Sequence, residues 1–131
     1  MITSGVFDYI NVLDKAADGA WARNAAIANN IANVNTPGYK RQDVSFETEL
    51  RNALKSSKYT SLDDKVSAAN EHLDRINARV YTDSPQWSYR LDGNNVDIDT
   101  ENVELASNQI KYNGVVESIN GEFSNLKTVI K

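Results

Sequence analysis

The sequence holds 131 residues, 24% of them charged and 40% hydrophobic, enough for one modest globular core. Fourteen Lys and Arg against 18 Asp and Glu give a net charge of −4 and a pI near 4.9, which argues against a general nucleic-acid binder. The absence of cysteine excludes a disulfide scaffold, thiolate metal sites and thiol catalysis, and no apolar run approaches the roughly 18 residues of a membrane helix. The opening "MITSGVFDYINVLDKAAD" has no cationic segment followed by an apolar one, so no cleavable signal is expected.

Residues 1–35 read as one long helix. Ile10, Leu13, Ala17, Ala20, Asn24, Ile27, Ile31 and Val34 recur at alternating spacings of three and four, the seam of a coiled coil. From Asn24 to Gly38 no side chain is ionisable, while alanines from Ala16 to Ala32 spread around the helix. A helix with one wet face normally carries Lys and Glu there, so this segment is expected to lie within a wall of several helices, some from other chains. In "NNIANVNTPGYKRQD" (29–43) the helix should end by about Asn35, because the residue before Pro37 avoids helical geometry. Thr36-Pro37-Gly38-Tyr39 fits a type II turn, with Pro presetting φ and Gly supplying the positive φ that follows. The stretch is thus a stiff, direction-changing joint. Lys40 and Arg41 are too few for a phosphate patch and are expected to start an outer, wetter layer.

Residues 36–100 form a middle region. "FETELRNALKSS" (46–57) predicts a short amphipathic helix through Phe46, Leu50 and Leu54; "KSSKYTSLDDK" (55–65) a mobile loop; "VSAANEHLDRINARV" (66–80) another helix. "QWSYRL" and "NVDID" flank Asp92-Gly93-Asn94 as in a β-hairpin, with Trp87 and Tyr89 either packed inside or facing a neighbouring subunit. Residues 101–131 repeat the helical seam through Leu105, Gln109, Tyr112, Val116, Ile119, Phe123, Leu126 and Ile130, with Asp99 or Thr100 as cap. Asn24 and Gln109 are the polar interruptions that fix register. Each terminal helix would be roughly 45 Å long. The expected fold is mainly α: two long terminal helices pairing as an antiparallel coiled coil, with a small β-hairpin and a short helix and loop between them.

Little in the chain suggests catalysis. An EF-hand loop needs Gly at position 6 and Glu at position 12; a frame starting at Asp92 puts Asp97 and Val103 there, and one starting at Asp97 puts Asn102 and Asn108. His72 is the sole histidine, and no Gly-x-Ser-x-Gly elbow or glycine-rich phosphate loop is present. No enzyme activity, metal or cofactor is expected. One competing reading is a self-contained helical binding module, such as an export chaperone or coiled-coil adaptor. Another is a calcium-dependent enzyme or sensor built on the acids of 92–104.

Asn30, Ile31, Ala32, Asn33, Thr36, Pro37, Gly38 and Tyr39, within "NNIANVNTPGYKRQDVSFE", resemble the N-terminal signature of bacterial flagellar axial proteins, those of the rod and hook. "DGNNVDIDTENVELASNQIKYN" (92–113) and "FSNLKTVIK" (123–131) narrow the resemblance to a short proximal rod protein of the basal body, a sibling rod protein of similar length being the alternative. Residues 55–82 carry no part of the resemblance. It implies a non-catalytic subunit that stacks head-to-tail, through its terminal helices, with its own copies and other rod proteins into a hollow helical shaft, at the junction with the export apparatus and MS ring. It also implies passage through the flagellar type III apparatus without a cleaved signal, an extracytoplasmic location, and neither nucleic-acid binding nor membrane insertion. Termini poor in private core are expected to order only when neighbours bury their seams.

Overall fold

A computed structural model describes residues 4–56, 58–83, 86, 88 and 90–130. Helix α1 spans Ser4–Ala32 and α4 spans Ile98–Ile130. Between them lie β1 (Gln42–Val44), α2 (Glu47–Ser56), α3 (Leu62–Asn70), a 3-10 turn at Leu73–Arg75 and β2 (Val80–Thr82). At about 1.5 Å per residue the 29 residues of α1 and 33 of α4 extend roughly 43 and 50 Å. They run antiparallel: Asn30 meets Glu101, the Ala20 carbonyl meets Asn108, and Phe7 lies beside Leu126 and Ile130. No helix among the described residues is long and apolar enough to cross a membrane.

The core sits off the helix pair, where α1 meets the middle region. Ala26, Val44, Phe46, Ala69 and Ile76 form its buried centre, with Ala16, Ala22, Leu50, Ala53, Leu54 and Leu73 packed against it. Phe46 reaches α1 because Gly19 lacks a side chain: a Cβ there would stand 2.4 Å from the Phe46 ring. This is why α2 begins on its Phe46 side against α1. Ser61 caps α3, its hydroxyl accepting from the Asp64 amide, and Val66 and Ala69 point inward. The second flank of α3 is held by polar contacts to α1, with Tyr9 donating to Asp63 at 2.7 Å and Asn70 to Asp8 at 2.6 Å.

Three expectations for the middle region change. The loop expected at 55–65 gives up both its ends, to α2 through Ser56 and to α3 from Leu62, where Ser61 supplies a helix cap. The segment 66–80 is not one helix: it ends at Asn70, passes through the 3-10 turn, and becomes β2 where Val80, Tyr81 and Thr82 favour a strand. No hairpin forms around Asp92-Gly93-Asn94 among the described residues. The small antiparallel sheet instead pairs β1 with β2, with Gln42 opposite Thr82, Asp43 opposite Tyr81 and Val44 opposite Val80. A two-stranded hairpin at 86–99 is marginal by itself, and the backbone there is drawn to the end of α1 instead. Trp87 and Tyr89 lie outside the described residues.

Candidate assembly site: the joint and the exposed helix faces

Past Ala32 the backbone leaves α1 in tight turns, Asn33 N–H donating to the Asn29 and Asn30 carbonyls and Val34 N–H to the Ile31 carbonyl, and the carbonyls that follow are taken by side chains. The Asn94 carboxamide is fully buried and donates to the carbonyls of Asn33, Val34 and Thr36 at 2.9, 3.1 and 2.9 Å. Arg90 Nη1 adds a bond to the Val34 carbonyl at 2.5 Å. The chain then makes the expected Thr36–Tyr39 turn, closed by Tyr39 N–H donating to the Thr36 carbonyl at 3.2 Å, with Gly38 at φ +74°. Gly93, at φ +80°, abuts it: a Cβ on Gly93 would lie 3.5 Å from the Gly38 Cα, and Gly38 N–H donates to the Asp92 carbonyl at 2.8 Å. The DGNN block is therefore the cap of α1, and the two positive φ values are why glycine stands at both positions.

Below the turn, Asn30 is fully buried and uses both ends of its amide. Its Oδ1 accepts from the Gln42 N–H at 2.8 Å and from the Tyr39 hydroxyl at 3.1 Å; its Nδ2 donates to the Gln42 carbonyl at 2.7 Å and to Glu101 at 3.0 Å. Burial, and then the nearby Glu101 charge, push the Tyr39 hydroxyl above its ordinary value, which keeps it a donor. Glu101 is 0% exposed, and its other oxygen accepts from Arg41 Nε. Arg41 also reaches Asp43 at 3.1 Å and Asp83 at 3.0 Å, so β1, the segment after β2 and the first turn of α4 share one cation. Burial alone would lower Arg41, but Glu101 and Asp43 outweigh it and its guanidinium is held above the ordinary value. The expectation that Arg41 begins a wet outer layer is corrected: three carboxylates enclose it.

A second arginine, on α1 about two turns before Asn30, repeats the device. Arg23 donates to Glu47 at 2.5 and 2.6 Å and to the Val44 carbonyl at 2.6 Å, and Lys111 of α4 reaches Glu47 at 3.4 Å. Burial is the largest influence on Glu47 and pushes its carboxyl up. The Arg23 hydrogen bond, a backbone hydrogen bond and the charges of Arg23 and Lys111 together win, and the carboxyl is held below its ordinary value of 4.5. A carboxylate depressed in the folded state adds stability above its unfolded pKa and loses it as pH falls through the folded one. A urea-midpoint series should therefore fall on acidification from about pH 4.5 downward, and Glu47→Gln should flatten that part of the slope.

The acids of 92–104 are committed to structure in the same way. Asp92 pairs with Arg90 at 2.9 Å, and Asp97, rather than Asp99 or Thr100, caps α4 by accepting from the Asp99 N–H at 3.0 Å. Among the described residues no group of three or more His, Cys, Asp or Glu is arranged so that it could hold a metal ion. His72 is exposed.

Of the seam residues on α1, Ile10 and Ile27 are buried, and Leu13, Ala17, Ala20, Asn24 and Ile31 half-buried; Val34, expected to continue the helical seam, lies half-buried in the turn past the end of α1. On α4, Leu105, Tyr112, Val116, Ile119 and Leu126 are half-buried, whereas Gln109, Phe123 and Ile130 are exposed. Gln109 is thus no interior interruption; the buried amide of α4 is Asn108, one residue earlier. Within the joint motif Ala32, Thr36, Pro37 and Gly38 are exposed, Ile31, Asn33 and Tyr39 half-buried. The uncharged end of α1 leaves Ala25, Ala28, Asn29 and Ala32 at the surface. Phe7, Trp21, Val103, Ile110, Phe123, Val129 and Ile130 are all large apolar side chains left exposed, and Trp21 meets the Tyr112 ring at a tilt of 48°, ring centroids 6.4 Å apart.

Sequence reasoning missed Glu101, Asn94 and Asn108. Their partners are 58 to 88 residues away along the chain, and no local pattern reports such a contact. The one available sign was a glutamate in the first turn of a helix that already had an aspartate cap.

The family model described as "Flagella basal body rod protein" matches residues 16–40, the stretch from the middle of α1 through the turn. The chain is 39% identical over 127 residues to the flagellar basal body rod protein FlgB of Bacillus subtilis, covering 92% of both chains. It is 35% identical over 116 residues to FlgB of Borrelia hermsii (83% of this chain, 85% of the relative) and 30% identical over 117 residues to FlgB of Escherichia coli K12 (83% of each). The chain belongs to the FlgB family of flagellar basal body rod proteins, structural subunits of that rod.

Proposed function

We propose that the chain is a non-catalytic subunit of the proximal rod, joining head-to-tail with its own copies and other rod proteins into a hollow helical drive shaft. The observation that carries this reading is the set of large apolar side chains left exposed on α4, Val103, Ile110, Phe123, Val129 and Ile130, together with the charge-free surface of α1 at Ala25, Ala28, Asn29 and Ala32. At about 3.6 residues per turn Val103 and Ile110 share one face of α4 and Phe123 and Ile130 the opposite one, so neighbours on more than one side are needed to cover them. A soluble monomer seldom leaves so much apolar surface uncovered, and a contact that does not close on itself generates a helical tube. In this reading Ile10, Leu13, Ala17, Ala20, Asn24, Ile27, Ile31, Val34, Tyr112, Val116, Ile119, Phe123, Leu126 and Ile130 supply the coiled-coil seam, the second half of α4 acting mainly between subunits. The residues of 29–41 set the angle between the helix pair (1–35 with 101–131) and the middle region (36–100). The subunit reaches the extracytoplasmic basal body through the flagellar type III apparatus without a cleaved signal, and docks at the junction of export apparatus and MS ring.

The test is hydrogen exchange on the isolated full chain and on purified basal bodies. Amides of 26–31 and 42–46, which line the core, are expected to be protected in both. Those of 112–130 are expected to be open in the dilute chain and protected in the rod. Strong protection of 112–130 in the dilute chain would instead describe a self-contained helical module.

A further inference from the structure

Ten residues below the joint, α1 and α4 enclose a second polar feature, set within the seam at Ala20, Asn24 and Tyr112, whose buried acceptors the assembly reading leaves unexplained. Asn108 is 3% exposed and donates its Nδ2 to the Ala20 carbonyl at 2.8 Å, which fixes the direction of its amide. The Oδ1 of Asn108 and the Oδ1 of Asn24 are both buried, and neither has a hydrogen-bond partner among the described residues. Both asparagines line one small cavity of about 50 Å³, with Ala20, Trp21, Gln109 and Tyr112 as its other walls. Leaving a buried acceptor unpaired is costly, and two such acceptors on one hole specify their ligand. It must be small, it must carry at least two donor hydrogens, and it must tolerate aromatic walls. A water molecule fits; it needs roughly 10–15 Å³ of space open to its centre and two or more polar partners.

We propose that this cavity binds a single ordered water that donates one hydrogen to Asn24 Oδ1 and the other to Asn108 Oδ1, linking α1 to α4. Apolar seams of heptad period tolerate sliding by seven residues, since apolar still meets apolar. The water bridge does not. A slide of α4 by one heptad brings Glu101 or Val115 to the place of Asn108: Glu101 would leave Arg41, and Val115 offers the water nothing. The site is a register lock, independent of whether the chain assembles as a rod.

The experiment compares the full chain with Asn24→Leu, Asn108→Leu and the double variant, at a concentration where far-UV circular dichroism shows both long helices formed. Each single variant is expected to lower the folded-to-unfolded ratio on the order of tenfold, and the double variant to lower it no further than the worse single one, because either change already breaks the bridge. Additive losses would overturn the proposal. Nuclear magnetic resonance of the unaltered chain gives a second reading that needs no variant: magnetisation transfer from a long-lived water to the Asn108 side-chain amide is expected, and its absence under the same conditions also overturns the proposal.

Discussion

Replacing Glu101 by glutamine is expected to cost the folded chain on the order of 3 kcal/mol, the lower part of the range for removing one member of a buried ion pair. The reason is the company Arg41 is left in. Its side chain is 14% exposed and it keeps Asp43 and Asp83, but the carboxylate that is 0% exposed, and that alone ties it to α4, is gone. Glutamine also presents an amide where Asn30 Nδ2 and Arg41 Nε both need an acceptor. Replacing both Arg41 and Glu101 by methionine should recover much of the loss, since a buried pair exchanged for apolar residues of similar volume is often neutral. Urea unfolding of the two variants and the unaltered chain, followed by circular dichroism, measures both effects. A loss below about 1 kcal/mol in Glu101→Gln would place the pair among ordinary surface bridges.

Phe123→Asp and Ile27→Asp are expected to part company. Ile27 is 2% exposed, so an aspartate there buries an unpaired charge and should unfold the chain or remove several kcal/mol of its stability. Phe123 is 51% exposed, on a shallow apolar groove with Phe7, Leu126 and Ile130. Its replacement should move the melting temperature of the isolated chain little, within the range of about 0.5 kcal/mol usual for surface changes. In a strain whose only copy carries Phe123→Asp, rods and swimming should nonetheless be lost, as seen by electron microscopy of basal bodies and spreading in soft agar. Normal swimming by that strain would remove Phe123 from the assembly seam.

The terminal helices, the Pro37-Gly38 turn and the helix after Phe46 were legible because each is written in residues close together: a repeat of three and four, a turn dipeptide, an apolar residue every fourth position. The sheet was misplaced for the opposite reason. Val44 and Val80 are paired across two intervening helices, a contact that no local pattern reports. Arg41 looked like surface because cations usually are; that it is enclosed depends on carboxylates arriving from Asp83 and Glu101. The Asp-Gly-Asn signal is a turn but not a hairpin, since Asn94 spends its amide on the carbonyls of Asn33, Val34 and Thr36 just past α1. Among the joint residues, the motif was visible, but not the second half of the chain that completes it.

That division has a consequence for how the joint comes into being. A polypeptide that has emerged only as far as residue 90 already contains the Pro-Gly turn, Asn30 and Arg41. It contains neither the Asn94 amide that stops the first helix nor the Glu101 carboxylate that holds the arginine. Until those arrive, Asn30 has only Gln42 and Tyr39 and Arg41 only Asp43 and Asp83 to hold them, nothing ties either to α4, and the bend has no fixed angle. Contacts so distant along the chain form late, so the fixed bend is a property of the finished polypeptide alone. An unfinished one stays pliant.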